Sequence, residues 1–170
     1  MMDQSMLRKA FGSFATGVTV VTAVGSDGRP VGITINSLTS VSLDPPLLLW
    51  CLANKSASLG AFTVGASFAV HVLASDQAEV AGRFARSGVE KFAGQGDPKD
   101  HSQPPDIPGA LMRFSCRVVR LDAGGDHTII LGELLSVQMR GGAPLVFHAG
   151  RFGGFALDQE PAAGSPDPWT

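Results

Sequence analysis

The chain has 170 residues, of which 44% are hydrophobic and 16% charged, and its formal net charge is -2. That length holds one domain with a sizeable core, and the thin supply of charge leaves apolar surface for a second copy of the chain to cover. Lysines and arginines are scattered along the chain without a clustered run, which speaks against a basic face for nucleic acid, and no apolar run reaches the length of a membrane span.

The elements follow in chain order. Residues 3–15 read as an amphipathic helix capped by Ser5, with Leu7, Phe11 and Phe14 on one face. The β-branched run 18–24 predicts a strand, and the turn Ser26-Asp27-Gly28-Arg29-Pro30 returns 31–36 antiparallel to it. A third strand is expected at 38–43, closed by Asp44-Pro45-Pro46. Leu47 to Leu52 then follows as a continuous apolar run of the kind buried on both faces. A short helix through about Val64, a strand from Ser67 to Leu73 and a helix from Asp76 (its cap) to Arg86 come next. Residues 94–109 read as a loop, and 110–122 and 127–139 as two long strands joined by a glycine-rich turn. In the first of them Met112, Phe114, Cys116 and Val118 alternate with Arg113, Ser115 and Arg117. A last strand, Leu145 to His148, precedes Gly150-Arg151-Phe152-Gly153-Gly154. Residues 1–156 form the expected domain, with 157–170 a disordered tail. Seven or so strands with short helices and no βαβ alternation predict an all-β dominated, antiparallel barrel.

Two cysteines, Cys51 and Cys116, lie in apolar runs far from any CxxC spacing, and read as buried free thiols. With no signal-peptide pattern at the start of the chain, a cytoplasmic location is expected. His71, His101, His127 and His148 are far apart and lack paired ligands, so no metal is expected. His71 lies mid-strand and reads as structural, and His101 as a solvated loop residue.

Several segments carry polar groups where a ligand could use them. Thr34, Asn36, Ser37 and Ser42 place short donors and acceptors along strand ends, suited to the alternating carbonyl and N–H edge of a flavin. As a plain alternative they are turn and edge residues. Leu52-Ala53-Asn54-Lys55-Ser56 offers a cation and hydroxyls at a helix start, an anion site or an ordinary cap. Arg83 and Phe84 combine a cation and an aromatic, for phosphate or adenine, or for core anchoring. His127 follows Gly124-Gly125-Asp126, where its imidazole would stand at the barrel mouth, and His148, Arg151 and Phe152 repeat the theme.

In order along the chain, these pieces match something specific. Phe11 to Thr22, Gly32 to Leu52 with Ser42-Leu43-Asp44-Pro45-Pro46-Leu47, Lys55-Ser56, Arg83-Phe84, Lys91-Phe92-Ala93-Gly94, Gly125-Asp126-His127 and Pro144 to Phe152 resemble the short-chain flavin reductase family, the reductase components of two-component flavin-dependent monooxygenases. The resemblance implies a homodimeric, FMN-binding split β-barrel. It also implies non-covalent FMN or FAD, NADH or NADPH as hydride donor, and a separate monooxygenase that receives reduced flavin. It places Thr34, Asn36 and Ser37 at the isoalloxazine edge, backbone near Leu52 and Ala53 on the ring, Lys55 and Ser56 at the phosphate, and Arg83 and Phe84 at the phosphate or outer cofactor. His127 would contact the nicotinamide, helped by His148, Arg151 and Phe152. The chain departs from the family in having phenylalanine, at 147 or 152, where a tyrosine often stands. The cofactor would carry the chemistry, and the protein need only hold nicotinamide C4 within roughly 3.5 Å of flavin N5. Rival readings are a pyridoxamine phosphate oxidase or direct substrate reductase, a non-catalytic flavin carrier or sensor, and an interaction barrel without cofactor.

Overall fold

A computed structural model describes residues 3–87, 90–93 and 102–155. Helix α1 spans Gln4–Gly12. The cap is Asp3, whose carboxylate accepts the Ser5 N–H at 2.9 Å, so Ser5 lies inside the helix instead of capping it. None of its residues is fully buried; of the expected apolar stripe Leu7 is half-buried, whereas Phe11 and the following Phe14 are 77% and 76% exposed.

Ten strands follow among the described residues: β1 Thr16–Gly17, β2 Thr19–Val24, β3 Pro30–Ile35, β4 Thr39–Leu43, β5 Pro46–Ala53, β6 Ser67–Val72, β7 Met112–Gly124, β8 His127–Met139, β9 Leu145–His148 and β10 Arg151–Gly154. Helix α2, Ala78–Ala85, stands between β6 and β7. All named strand pairs are antiparallel. One sheet has seven strands in the order β3-β2-β6-β7-β8-β5-β4, and the other has three, β1-β9-β10.

The larger sheet curls around one core, because Val21, Ile35, Trp50, Phe68, Val118 and Ile130, from strands near both its ends, pack in a single cluster. The Trp50 and Phe62 rings meet edge to face at 4.9 Å, a favoured aromatic geometry. Gly132 is needed on β8 for this packing: a Cβ there would stand 2.4 Å from Cζ of Phe68. A second cluster, Val18, Val20, Leu73, Phe84 and Leu145, lies on the outer side of β2, under α2 and the small sheet.

Four expectations are corrected. On β5 only Leu48, Trp50 and Leu52 are buried. Leu47, Leu49 and Cys51 are half-buried, because α2 packs over β2 and β3 of this antiparallel sheet and not over β5. The helix expected after Lys55 is a single 3-10 turn, Leu59–Ala61: Gly60 within it is a poor helix former, and a segment this short, followed by Gly65 at φ 88°, cannot sustain helical nucleation. Helix α2 starts after Gln77 with no side-chain cap. Gln77 instead accepts the Ala74 N–H at 3.0 Å and donates to Pro108 O at 2.8 Å, stitching the 104–111 segment to the sheet. Leu145–His148, expected as the last strand, is followed by one more, the edge strand Arg151–Gly154.

Cys51 and Cys116 are both free, on strands separated by β8, and burial pushes the Cys116 thiol up to about 12. His71 is structural as expected: it is 1% exposed and its Nδ1 lies 3.2 Å from Val20 O. His101, much of the loop expected over 94–109 and the tail from 157 lie outside the described residues.

Candidate active site

The β5–β8 ladder ends with Ala53 opposite His127, and the two-residue turn Gly125-Asp126, with Gly125 at φ 72°, brings β7 back alongside. Lys55 and Ser56 form the turn that leaves β5 at this same end. The Ser56 Oγ accepts the Ser58 N–H at 3.3 Å, which leaves its own proton free to donate outward. Lys55 is exposed and makes no ion pair among the described residues. Ser37 belongs to the same end, since its hydroxyl accepts the Cys51 N–H at 3.0 Å, two residues before Ala53. Asn36 is exposed beside it. Leu52 points into the core at 2% exposure, so it can offer a ligand only its backbone.

The imidazole of His127 is half-exposed, with Nδ1 2.7 Å from Asp126 Oδ1. The carboxylate can only accept, so Nδ1 carries the hydrogen and Nε2 is left for a ligand. The hydrogen bond and positive charge of His127, with Lys55 beyond, hold the Asp126 carboxyl below the usual carboxylate range.

A second group lies around α2. Thr34 donates its hydroxyl to Ala81 O at 2.7 Å, so that proton is committed to the helix and is not available to a ring edge. Arg83 opens onto a surface depression of about 650 Å³ that it shares with Glu79, Arg86 and Glu90. Phe84 is fully buried, edge-on to Phe92 at 5.1 Å and against Gly32; it anchors the core and cannot reach an outer cofactor. Lys91 donates to Gly32 O at 2.8 Å and Phe84 O at 3.1 Å, and burial pulls its pKa down.

The third group is the β9–β10 hairpin. His148 pairs with Arg151, and the Phe147 and Phe152 rings lie 5.6 Å apart beside a depression of about 400 Å³. Val18, one residue before the Thr19 that pairs with Ile35, donates to Leu145 O at 3.1 Å, so β9 departs from the sheet end where Asn36 sits. Among the described residues no hydrogen bond, ion pair or ring contact joins this hairpin to His127 within one chain. Ser42 is not brought in. It pairs with Leu47, six residues along β5 from Ala53, about 20 Å at roughly 3.3 Å per residue.

Sequence reasoning missed Asn54 and Thr128, which tie the two turns together (Thr128 Oγ1 to Asn54 Oδ1, 2.8 Å), because a single asparagine after a strand looks like turn chemistry. Among the described residues a polar end of this kind fits a flavin phosphate and ring edge: a cation without an ion pair, a free hydroxyl proton and exposed backbone, with the Asp126 carboxylate already engaged by His127. Among the described residues no set of three or more His, Cys, Asp or Glu is grouped to hold a metal, and no helix is long and apolar enough to cross a membrane.

Comparison with known proteins supplies the relatives. Residues 11–156 match the model of the flavin reductase like domain. The chain is 48% identical over 149 residues to FMN reductase (NADH) SmoA of Agrobacterium fabrum, covering 88% of this chain and 84% of that protein. It is 39% identical over 156 residues to the reductase component of 4-nitrophenol 4-monooxygenase/4-nitrocatechol 2-monooxygenase of Rhodococcus opacus, covering 91% and 82%. It spans about half the length of two further relatives. The solved NADH:FAD oxidoreductase of Streptomyces globisporus, in complex with NAD and FAD fragments, superposes with a TM-score of 0.83 at 40% identity, covering 93% of this chain and 96% of that one. With nearly the whole described fold inside the match, the chain belongs to the flavin reductase like domain family.

Proposed function

We propose that the protein is an NAD(P)H-dependent flavin reductase that reduces FMN or FAD and delivers reduced flavin to a separate monooxygenase. It works in the cytoplasm as a homodimer of split β-barrels. The observation that carries this reading is the meeting of Lys55, Ser56 and His127, with Nε2 free, at one end of the β5–β8 ladder. The named activities of the A. fabrum, R. opacus and S. globisporus relatives support it. Exposed apolar side chains on α1, β4 and the end of β8, among them Met6, Phe11, Leu43, Leu135 and Met139, support a second copy as their cover.

When bound, the flavin supplies the ring that accepts hydride from a reduced nicotinamide. The chain's own groups bind and orient. The Lys55 ammonium and Ser56 hydroxyl hold the phosphate by charge-assisted hydrogen bonds, and Ser37, Asn36 and the backbone of Leu52 and Ala53 line the ring edge. Asp126 keeps a hydrogen of His127 on Nδ1, so that Nε2 faces the carboxamide of the nicotinamide and sets its plane. His148, Arg151 and Phe152 complete the nicotinamide side, with Arg83 toward the outer part of the cofactor. No side chain has to move a proton at a reacting carbon. Few charged contacts leave the flavin free to depart, as a diffusing product must.

The test is anaerobic stopped-flow flavin reduction. The wild type consumes NADH only when free flavin is added, and His127→Ala slows reduction at least about tenfold with flavin affinity little changed. An unchanged rate in His127→Ala removes that residue's role, and a yellow protein inert to both nucleotides replaces the enzyme by a carrier.

A further inference from the structure

We infer that Asn54, backed by Thr128, is a positioning residue for hydride transfer: it locks the Asp126–His127 turn to the strand end that carries Lys55 and Ser56. The inference rests on the reading of His127 given above. Past the Ala53–His127 pair the ladder stops, and Asn54 continues the connection. Its backbone N–H donates to Asp126 O at 2.9 Å, its Nδ2 donates to Gly125 O at 3.0 Å, and its Oδ1 accepts from Thr128 Oγ1 at 2.8 Å. One residue therefore grips the turn on both sides of Asp126.

Asn54 is exposed, so its bonds rescue no buried polar group, and their consequence is geometric. Gly125 contributes no side chain to stiffen the turn, and Asp126 is itself solvent-exposed. Without Asn54 the imidazole would keep its Asp126 partner, yet the pair would swing together relative to Lys55 and Ser56. Phosphate-side and nicotinamide-side groups would then lose their common frame. Alanine removes both side-chain bonds while keeping the backbone one, which isolates the amide's part.

Asn54→Ala is expected to lower the rate constant of flavin reduction at saturating NADH about tenfold, with flavin Kd changed less than about twofold. In the ligand-free protein the amide of residue 54, which donates to Asp126 O, should exchange hydrogen at least about fivefold faster once the intrinsic rates of asparagine and alanine are divided out, with the thermal midpoint held. Thr128→Val should show part of both effects, Thr128→Ser neither, and the double variant Asn54→Ala/Thr128→Val no more than Asn54→Ala alone. Wild-type rate and exchange in Asn54→Ala overturn the inference, as does a loss of rate that comes with an equal loss of flavin affinity and of thermal midpoint. His127→Ala run in parallel separates the two failures. If it slows reduction and Asn54→Ala does not, only the positioning role falls; if it leaves reduction intact, the reading of His127 falls and takes this one with it.

Discussion

His71 makes the acid side of the stability curve predictable. The ring is 1% exposed; Nδ1 donates to Val20 O, and Nε2 looks toward Asp106 Oδ1 at 3.8 Å, with the Arg113 guanidinium on the same carboxylate. Burial pulls its pKa from 6.5 down to about 4; the positive charge of Arg113 works in the same direction, and Val20 O and Asp106 oppose without prevailing. The sign follows. Between those values the unfolded chain binds a proton that the folded chain refuses, so stability is complete above 6.5 and falls as the pH drops toward 4. Across that gap, at about 1.4 kcal/mol for each step of one in pKa, the loss is of order 3 kcal/mol. Urea unfolding at fixed protein concentration, followed by fluorescence of buried Trp50, measures it at a series of pH values. His71→Asn removes the titration and should flatten the curve in this window relative to wild type. Parallel curves for the two proteins would refute the reasoning, and a wild type that gains stability on acidification would show the Asp106 pair outweighing burial.

Three other outcomes are expected. Lys55→Ala should raise the KM for FMN about tenfold or more while leaving that for riboflavin, which lacks the phosphate, nearly unchanged; equal effects on both would remove Lys55 from the phosphate. Gly132→Ala drives a methyl into the buried Phe68 ring and should cost about 1–3 kcal/mol in urea unfolding, whereas an unchanged midpoint would mean that the ring moves aside freely. Light scattering should give twice the chain mass, and a monomer would leave Phe11, Phe14 and Met139 exposed without a cover.

The strand pattern was legible because β-branched runs and turn residues fix it locally: β2 through β9 lie within a residue or two of their predicted bounds. Caps were not, since Asp3 and Ser5 are both good caps by type and only the chain's path selects one. His127, Lys55, Ser56 and Ser37 were singled out from residue type and family order, and the fold brings them to one end of the β5–β8 ladder. Phe84 was misassigned because an aromatic next to an arginine reads alike on either face of a helix, and only the packing against Gly32 decides it. Ser42 looked close to Ser37 in number, yet β4 carries it to the far end of β5. Asn54 escaped notice because its partners come from a turn that no local pattern links to it.

The β7–β8 hairpin has two mechanically unlike halves. From His127 to Glu133, β8 lies between β5 and β7, whereas beyond Glu133 it has β7 alone, and Leu135–Met139 is exposed throughout. In a lone chain, fraying that starts at Met139 can run toward Glu133 and halt where β5 takes hold, so slow deuterium uptake begins there. The imidazole sits on the protected side of that boundary, insulated from opening at the other tip of its own strand.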